Sequence, residues 1–375
     1  MSKLPHVGTT IFTVMSQLAN ESGAINLSQG FPNFPVDPAL IKIVQETASS
    51  DAHQYRPMPG SPKLKEACAG IVERQYQRTL DPDQEVLVVA GATQGLFTAI
   101  MALVNHGDEV VVLDPSYDSY DPSIRLSGGK PVHVSLNKDF LPDWDRINNV
   151  ISEKTRMIIT NNPHNPSGRV WNESDMAALE ALMAKHPNLI LLSDEVYEFI
   201  TFEKKHLSAH LYPSLYDRCI TVSSFGKTFH ITGWKMGYVT APKSLMVEIK
   251  KVHQFNVFSV NSVAQVALEQ YIPTVDLNAL GGFYAEKRRL FSELIKDSKF
   301  ELLPCDGAYF QLARYDEISD KGDVDFCREL TVKHGVAAIP VSVFNENGQD
   351  DHVIRFCFAK DEKTLTQAAE KLCKI

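Results

Sequence analysis

The chain has 375 residues, of which 44% are hydrophobic and 22% charged, and its formal net charge is −9 at pH 7. This composition is ordinary for a soluble globular enzyme, and the length predicts two domains or one large α/β domain with an appendage. The acidic balance, with no long run of one sign, argues against a general nucleic-acid surface and against an electrostatic membrane anchor.

Short apolar runs alternate with helical patterns from about residue 85 onward. Strands are predicted at residues 85–90, 109–114, 131–136, 157–160, 189–193, 220–223 and 234–240. Helices are predicted at residues 93–105 and 174–185, and Gly107 follows the first of them, where a helix would end. Buried strands that alternate with helices predict a mainly parallel sheet covered on both faces.

The pattern changes after about residue 270. Helical spacing recurs at residues 281–296, 324–333 and 361–374, with shorter strand patterns at 300–304, 308–312 and 353–358. These elements predict a smaller α+β domain. The segment before Pro35 carries no sheet signal, and we expect it to pack against that smaller domain. The predicted boundaries are residues 35–265 for the large domain and residues 1–34 with 266–375 for the small one.

Targeting signals and cysteine usage point to one compartment. No apolar run approaches membrane-spanning length, and residues 1–10 carry a single lysine with no apolar segment after it, so we expect neither a membrane span nor a secretory signal. The six cysteines are scattered and form no C-x-x-C pair. We therefore expect reduced, mostly structural cysteines in a cytosolic protein.

Four stretches follow predicted strands, at the sheet edge where open α/β folds bind ligands. The first, V-A-G-A-T-Q-G at residues 89–95, joins a strand to a helix. Its small residues would let the amides of Ala92 and Thr93 approach an anion at the helix N-terminus. It is not G-x-G-x-x-G, which argues against a dinucleotide site, and a plain tight turn would look the same.

The second and third stretches each leave two readings open. N-P-H-N-P-S-G at residues 162–168 predicts a rigid irregular loop, with or without a ligand. In S-D-E-V-Y at residues 193–197, Asp194 ends a buried strand and needs a partner, because an unpaired buried charge is costly. That partner is either a protonated ring nitrogen of a cofactor or an internal arginine or lysine.

The fourth stretch, S-S-F-G-K-T-F at residues 223–229, places Lys227 among apolar and small residues. Desolvation there would lower the lysine pKa and free the amine as a nucleophile, which makes Lys227 a candidate Schiff-base former. A P-loop would need glycine at position 221, where Thr221 stands. The S-x-x-K pattern of β-lactamases would need a companion K-T-G, which the sequence lacks.

Two further candidates favour structural roles. His206 and His210 have an i,i+4 spacing typical of metal ligands, but no glutamate follows His206 as H-E-x-x-H requires. We expect a surface helix turn there and no metal site. Trp234 is expected in the core rather than against a cofactor.

Taken together, the stretches resemble one family. The order and spacing of N-P-x-N-P-[ST]-G, D-E-x-Y and S-x-x-K-x-x-x-x-x-G-[WE]-[RK]-x-G are met at residues 162–168, 194–197 and 224–237. N-L-S-Q-G-F-P at residues 26–32 and I-R-F-C-F-A-K-D-E at 354–362 are similar to the ends of the same family. The whole chain thus resembles the fold-type I pyridoxal-phosphate aminotransferases of class I/II, most of all the methionine and kynurenine/glutamine aminotransferase group.

The resemblance implies an aspartate-aminotransferase-like α/β fold. Its large, cofactor-binding domain would hold a mainly parallel seven-stranded sheet between helices, beside the smaller α+β domain. It also implies the catalytic residues Lys227, Asp194 and Tyr197. Lys227 looks like the Schiff-base lysine and Asp194 like the partner of the pyridine nitrogen. Tyr197 and Asn165 resemble the pair that binds the phenolic oxygen, and Tyr117 the aromatic residue stacked on the ring.

The remaining roles follow from the same resemblance. The phosphate would be bound by the amides of Ala92 and Thr93, by Ser224 and by Lys235. Tyr55 resembles a tyrosine that reaches the phosphate of a neighbouring subunit, which implies a homodimer. Arg355 looks like the substrate-carboxylate clamp, with Gly30 and Asn165 beside it and Phe258 reaching the substrate pocket across the dimer. Lys235 stands where many relatives carry arginine, and Tyr117 where relatives often carry Phe or Trp.

The implied activity is ping-pong transamination from an amino acid to a 2-oxo acid. The resemblance points to methionine, aromatic, glutamine or kynurenine-like donors. A carbon–sulfur β-lyase would share Lys227, Asp194 and Arg355, so the motifs leave it open. A cofactor-binding regulator would need a DNA-binding module, for which the chain has no spare segment.

Overall fold

The computed structural model describes residues 2–375 and contains three sheets with helices packed around them. The strands are β1 (Ile25–Asn26), β2 (Val86–Val89), β3 (Glu109–Asp114), β4 (Lys130–Ser135), β5 (Thr155–Asn161), β6 (Ile190–Asp194), β7 (Cys219–Ser224), β8 (Gly237–Thr240), β9 (Glu301–Leu302), β10 (Phe310–Arg314), β11 (Val336–Ala337), β12 (Ile339–Pro340) and β13 (Val353–Cys357).

The helices connect and cover these strands. They are α1 (Ile11–Ser22), α2 (Pro38–Ala48), α3 (Pro62–Tyr76), α4 (Pro82–Glu85), α5 (Ala92–Leu103), α6 (Tyr120–Ser127), α7 (Trp144–Val150), α8 (Glu173–Lys185), α9 (Phe225–Thr228), α10 (Lys243–Asn256), α11 (Ser262–Tyr271), α12 (Ala279–Leu294), α13 (Asp323–His334) and α14 (Glu362–Leu372). Short 3-10 helices lie at Ala209–Leu211, Pro213–Arg218, Thr232–Trp234, Ile272–Thr274 and Ser342–Phe344.

The largest sheet has seven strands in the order β2-β8-β7-β6-β5-β3-β4, and β8 alone runs antiparallel to its neighbours. Strands β2, β6 and β7 are buried at every residue, as expected for a parallel sheet covered on both faces. Helices α5 and α10 pack on one face, and α7 and α8 on the other. The predicted mainly parallel α/β fold is thereby confirmed. The carboxyl ends of β2, β3, β5, β6 and β7 share one edge.

Local sequence signals explain where several helices begin and end. Thr10 caps the start of α1, and Gly23 ends it with a φ of 64°, a left-handed conformation that glycine adopts without a steric penalty. At α8, Asn172 and Asp175 form a capping box, in which each side chain accepts from the other residue's amide. The predicted helix at residues 174–185 accordingly starts one residue earlier, at Glu173.

One strand begins later than predicted. The pattern at residues 234–240 predicted a strand, but β8 starts only at Gly237. The preceding Thr232–Trp234 is a 3-10 helix, and Lys235 is left-handed with a φ of 54°. This turn brings Gly237 so close to strand β7 that a Cβ added at Gly237 would lie 2.5 Å from the Ser223 carbonyl oxygen.

The second half of the chain builds a smaller α+β unit, also as predicted. Strands β12-β13-β10-β9 form an antiparallel sheet, and α12, α13 and α14 contribute to one hydrophobic core with it. Helix α1 contacts α13, so the N-terminal segment does pack against this unit. No strand was predicted before Pro35, but β1 lies there and pairs in parallel with β11. Two residues are too short to show the alternation typical of a strand.

The expected surface turn at His206 and His210 is also wrong, since both side chains are buried. The Nε2 of His206 lies 2.8 Å from Glu195 Oε2, and Arg78 donates to His210 Nδ1 at 3.1 Å. A buried carboxylate at position 195 needs such partners, and a spacing argument along one helix cannot show them. Within residues 2–375, no group of three or more His, Cys, Asp or Glu side chains is arranged for a metal ion.

Other expectations concern the core and the membrane. Trp234 is half-buried and packs against the cluster formed largely by α3 and α11. The six cysteines are free thiols, five of them buried. Over the described residues 2–375, none of the helices combines the length and apolar character needed to span a bilayer.

Candidate active site

A cavity of about 290 Å³ lies at the carboxyl edge of the seven-stranded sheet, where β10, β13 and the N-terminal segment close over it. Eleven predicted site residues line it, drawn from both halves of the chain. They are Gly30, Ala92, Thr93, Tyr117, Asn165, Asp194, Tyr197, Ser224, Lys227, Lys235 and Arg355. The fold therefore brings residues more than 300 positions apart to one place, because β13 and the segment after β1 close over the edge at which the parallel strands end.

Lys227 projects into this cavity from α9, the short helix that follows β7. Its Nζ donates to the Gly30 carbonyl oxygen at 3.3 Å and lies 5.6 Å from the centres of the Tyr197 and Tyr309 rings. Burial lowers the pKa of Lys227 to about 8. A sizeable fraction of the amine is therefore neutral near physiological pH, which is the form that acts as a nucleophile or base.

Asp194 ends β6 and is only 3% exposed. Tyr120 donates its hydroxyl to Asp194 Oδ2 at 2.6 Å, and the Val196 amide donates to Oδ1 at 3.3 Å. Burial raises the pKa of Asp194 to about 6, and the Tyr120 hydrogen bond opposes that rise. In the described part of the chain, the carboxylate has no ion-pair partner, so it can receive a cationic group of a ligand.

The loop after β5 is held by its asparagines. Asn161 accepts from the Asn165 amide at 2.7 Å and donates to the Asp194 carbonyl at 3.0 Å. Asn162 accepts from the Trp171 amide at 3.1 Å. Both X-Pro bonds of the loop, Asn162–Pro163 and Asn165–Pro166, are cis. The network ties the loop to β6 and keeps the Asn165 side chain on the cavity wall.

Arg355 lies on β13 and is 1% exposed. Its Nη1 donates to Asn165 Oδ1 at 2.7 Å and its Nη2 to the Ser28 carbonyl at 3.1 Å, and its Nε has no partner. The guanidinium carbon lies 4.0 Å from the centre of the Phe310 ring. Arg355 makes no ion pair with a carboxylate of residues 2–375. A buried guanidinium with five N–H groups and two protein acceptors is suited to bind an external carboxylate.

The N-terminus of α5 forms the anion-binding end of the cavity. Gly91 precedes it with a φ of 82°, and the amides of Ala92 and Thr93 belong to the first turn, whose N–H groups have no partner inside the helix. A Cβ on Gly91 would lie 3.3 Å from Lys235 Nζ, so the ammonium sits directly beside this turn. Ser224, at the end of β7, lines the same end.

Tyr117 supplies an aromatic wall. Its hydroxyl lies 3.2 Å from Thr93 Oγ1, which links the wall to the anion-binding turn. Its ring meets the ring of Tyr120 edge to face at 5.7 Å. Burial raises the pKa of Tyr117 above its usual value, so the hydroxyl stays neutral. Burial likewise keeps the pKa of Tyr197 well above its usual value.

Two predicted site residues lie outside the cavity. Tyr55 is 81% exposed and Phe258 is 47% exposed, and their rings meet edge to face at 5.5 Å. Phe255, on the same segment as Phe258, is 87% exposed. An exposed aromatic patch of this kind is typical of an interface between proteins. The roles of Tyr55 and Phe258 were predicted for a neighbouring subunit and stay predictions.

Several lining residues were not predicted. Phe12, Gln29 and Phe310 line the cavity from α1, the following turn and β10, and no motif marks them. Tyr120, the first residue of α6, also lies outside every motif, and because Tyr117 precedes the helix, no helical spacing links the two. Its contact with Asp194 joins positions that lie 74 residues apart.

Comparison with known proteins identifies relatives along the whole chain. A family model for aminotransferase class I and II matches residues 22–372. The chain is 48% identical to the methionine aminotransferase of Escherichia coli, covering 99% of this chain and 97% of that protein. It is 31% identical to human kynurenine–oxoglutarate transaminase 3, covering 99% and 89% of the two chains.

Solved structures agree with these matches. The crystal structure of YbdL from Escherichia coli, for which a methionine aminotransferase function is identified, superposes with a TM-score of 0.97 at 47% identity, covering 100% of this chain and 99% of that one. The aspartate aminotransferase of Thermus thermophilus, a single mutant, superposes with a TM-score of 0.91 at 26% identity, covering 100% and 98%.

Proposed function

Because this chain belongs to the class I and II aminotransferases, a family that uses pyridoxal phosphate, we propose that it moves the amino group of methionine or a related donor to a 2-oxo acid. Aromatic, glutamine and kynurenine-like amino acids are the other donors in the proposal. The observation that carries it is one cavity lined by an amine of lowered pKa, Lys227, and by two buried charges without ion-pair partners in residues 2–375, Asp194 and Arg355.

The residues present fit the cofactor. Lys227 would hold it covalently through its amine, and Asp194 would pair with the pyridine nitrogen, which explains a buried carboxylate with hydroxyl and amide partners only. Tyr197 and Asn165 would bind the phenolic oxygen, and Tyr117 would stack on the ring. Bound pyridoxal phosphate supplies an electron sink for negative charge at the substrate α-carbon.

The phosphate group would take the anion-binding end. The amides of Ala92 and Thr93, the Ser224 hydroxyl and the Lys235 ammonium converge there. Lys235 contributes a point charge rather than the two-pronged contact of arginine. The phosphate would therefore be held by several donors together, of which only Lys235 carries a charge.

Substrate orientation and proton transfer fall to Arg355 and Lys227. Arg355 binds the α-carboxylate by a charge-assisted contact that sets the orientation of the amino acid. The Lys227 Nζ, in its neutral form, accepts the substrate α-proton and gives it up again within the same half-reaction, so that the amine is neutral when the next substrate binds. Gly30 keeps its carbonyl oxygen 3.3 Å from that amine and so helps to hold it on one side of the cavity.

The cavity favours a donor with one carboxylate. Its charged lining residues among the described positions are Asp194, Lys227, Lys235 and Arg355. Lys227 and Lys235 are assigned to the cofactor, which leaves Arg355 as the cation for the substrate. A dicarboxylate donor would need a second cation. The apolar side chains of Phe12, Val196 and Phe310 instead suit a thioether or aromatic side chain.

We further propose a homodimer in which Tyr55 reaches the phosphate of the neighbouring subunit and Phe258 its substrate pocket. The exposed Tyr55, Phe255 and Phe258 support this assembly. A cytoplasmic location is also part of the proposal, and the free thiols of all six cysteines support it.

A panel of amino donors against several 2-oxo acids tests the function. We expect methionine and aromatic donors to give higher kcat/KM than aspartate, with the parallel double-reciprocal lines of ping-pong kinetics. Release of pyruvate from a cysteine conjugate without an added 2-oxo acid, at a rate matching the best transamination, would instead identify a β-lyase. A preference for aspartate would contradict the assignment of Arg355 as the only substrate cation.

A further inference from the structure

A cluster of charged side chains lies just outside the cavity, on the outer strands of the large sheet. His133 on β4 places its Nδ1 2.9 Å from Asp114 Oδ2 and 3.0 Å from Asp114 Oδ1. Its Nε2 lies 3.0 Å from Asp121 Oδ2 on α6. Arg125 donates to both oxygens of Asp121, at 2.6 and 3.0 Å. Glu346 and His164 are the other titratable residues that face this group.

The geometry requires a protonated His133. A neutral imidazole has one N–H donor, and its other nitrogen is an acceptor that a carboxylate would repel. Since both ring nitrogens face carboxylates, both must donate. Burial lowers the pKa of His133, but the hydrogen bonds to Asp114 and Asp121 outweigh it and raise the pKa to about 9.

The cluster continues into the smaller unit through residues 342–346, here called the strap. Asp114 Oδ2 accepts from the Glu346 amide at 2.9 Å, and the Ser116 amide donates to the Phe344 carbonyl at 2.8 Å. The Phe344 ring lies 5.9 Å from the Arg355 guanidinium carbon and 5.7 Å from the Phe12 ring. The strap therefore connects the cluster to the wall beside Arg355.

We propose that His133 is a positioning residue that fastens the strap and thereby keeps Phe344 and Phe12 packed beside Arg355. The inference rests on the proposed function, in which Arg355 binds the substrate carboxylate. Asp114 is 4% exposed, and the His133 imidazolium holds its carboxylate aimed at the Glu346 amide. Without that partner, a buried carboxylate with one backbone donor would turn toward water. That change releases the strap at Glu346.

His133→Leu tests the proposal in the holoenzyme. We expect KM for the amino donor to rise about fivefold to tenfold, the size of effect of one lost hydrogen bond, with kcat and cofactor content changed less than about twofold. His133→Lys keeps a positive charge and is expected to recover most of the loss. His106→Leu, at an exposed histidine in the turn before β3, is the matched control and should leave KM unchanged.

Hydrogen exchange at the Glu346 amide gives a second readout that needs no turnover. The raised pKa means that the His133 charge is present below pH 9 and is lost as pH rises through 9. In the wild type, the protection of the Glu346 amide from exchange should therefore fall above pH 9. The amide should be unprotected at every pH in His133→Leu, and it should stay protected above pH 9 in His133→Lys. Unchanged exchange and unchanged KM in His133→Leu overturn the proposal, as does a loss of kcat at constant KM.

The outcomes separate this inference from the proposed function. A wild-type protein that transaminates no donor, together with faster Glu346 exchange in His133→Leu, supports the strap contact and refutes the function. Should His133→Leu not fold, Asp121→Asn removes one of the two carboxylates that hold the imidazolium while leaving the β3–β4 pairing intact. That variant is expected to weaken Glu346 protection, and unaltered protection in it overturns the proposal.

Discussion

The pKa of the buried Asp194 depends on a neighbouring residue, Tyr120, that belongs to no sequence motif. The position of Asp194 at the end of a buried strand follows from the sequence, and so does its need for a partner. Tyr120 could not be assigned from the sequence, because its hydrogen bond to Asp194 depends on how α6 packs over β6. The same holds for Phe12 and Phe310, whose approach to the cavity depends on the docking of distant elements.

Tyr120→Phe is expected to weaken cofactor binding at acidic and neutral pH. Burial raises the pKa of Asp194 to about 6, the Tyr120 hydroxyl lowers it, and removal of that hydroxyl lets it rise further. A larger fraction of Asp194 is then protonated near pH 7 and cannot pair with a cationic nitrogen. The dissociation constant of pyridoxal phosphate from the apoprotein should increase about threefold at pH 6.5, the fall in the ionised fraction of Asp194 when its pKa rises from about 6 by about one unit.

The pH profile provides the control for this variant. Wild type and Tyr120→Phe should bind the cofactor with similar affinity at pH 9, where Asp194 is ionised in both. An equal loss at pH 6.5 and pH 9 would point to a packing defect rather than to the charge of Asp194.

Among the elements, the strands of the large sheet follow the sequence closely, because buried parallel strands read as unbroken apolar runs. Strand β3 spans Glu109–Asp114 as predicted, and β5, β6 and β7 differ only at their ends. The prediction differs from the structure where a conformation depends on contacts with distant residues. Strand β1 is only two residues long, and β8 begins only after the turn at Lys235. The His206 segment was misjudged because its partner, Glu195, is on another element.

The turn into α5 is the element on which phosphate binding depends. Gly91→Ala would place a Cβ 3.2 Å from Lys235 Cε at a φ of 82°, so both the backbone and the lysine must shift. We expect at least a tenfold rise in the dissociation constant of pyridoxal phosphate, measured by titration of the apoprotein, because the α5 amides and the ammonium lose their common geometry.

Gly107→Ala is the matched control for that substitution. Gly107 has a φ of 89° but nothing within 4 Å of an added Cβ, so it carries the same backbone strain without the contact. The control should lower thermal stability comparably and leave cofactor affinity unchanged. Equal affinities in the two variants would contradict the phosphate role of this turn.

For the whole molecule, the two-unit architecture was predictable from the shift in pattern near residue 270, and the cavity lies where the two units meet. The division at residues 35–265 stays a prediction. Only the resemblance to the aminotransferase family predicts the surface through which two chains associate, because Tyr55 does not line the cavity of its own chain.

Subunit mixing tests the proposed shared site. A Lys227→Ala chain retains Tyr55, and a Tyr55→Ala chain retains Lys227, so a mixed dimer has one complete site if Tyr55 acts across the interface. When equal amounts of the two weakly active variants are refolded together, about a quarter of wild-type activity should be recovered. Half of the dimers are then mixed, and each mixed dimer has one complete site out of two. No recovery, in a mixture shown to contain mixed dimers, would place Tyr55 outside the neighbouring site.

The central claim is that Lys227 performs the chemistry of this site. It is tested most directly by the multiple-turnover transamination rate of Lys227→Ala with saturating pyridoxal phosphate and a good donor. The rate is expected to fall by roughly a thousandfold or more, with unfolding temperature near that of wild type, because both the attachment point and the general base are removed. Lys65→Ala, at a buried lysine paired with Asp83 outside the cavity, should stay active. A Lys227→Ala protein that turns over at the wild-type rate would contradict the account.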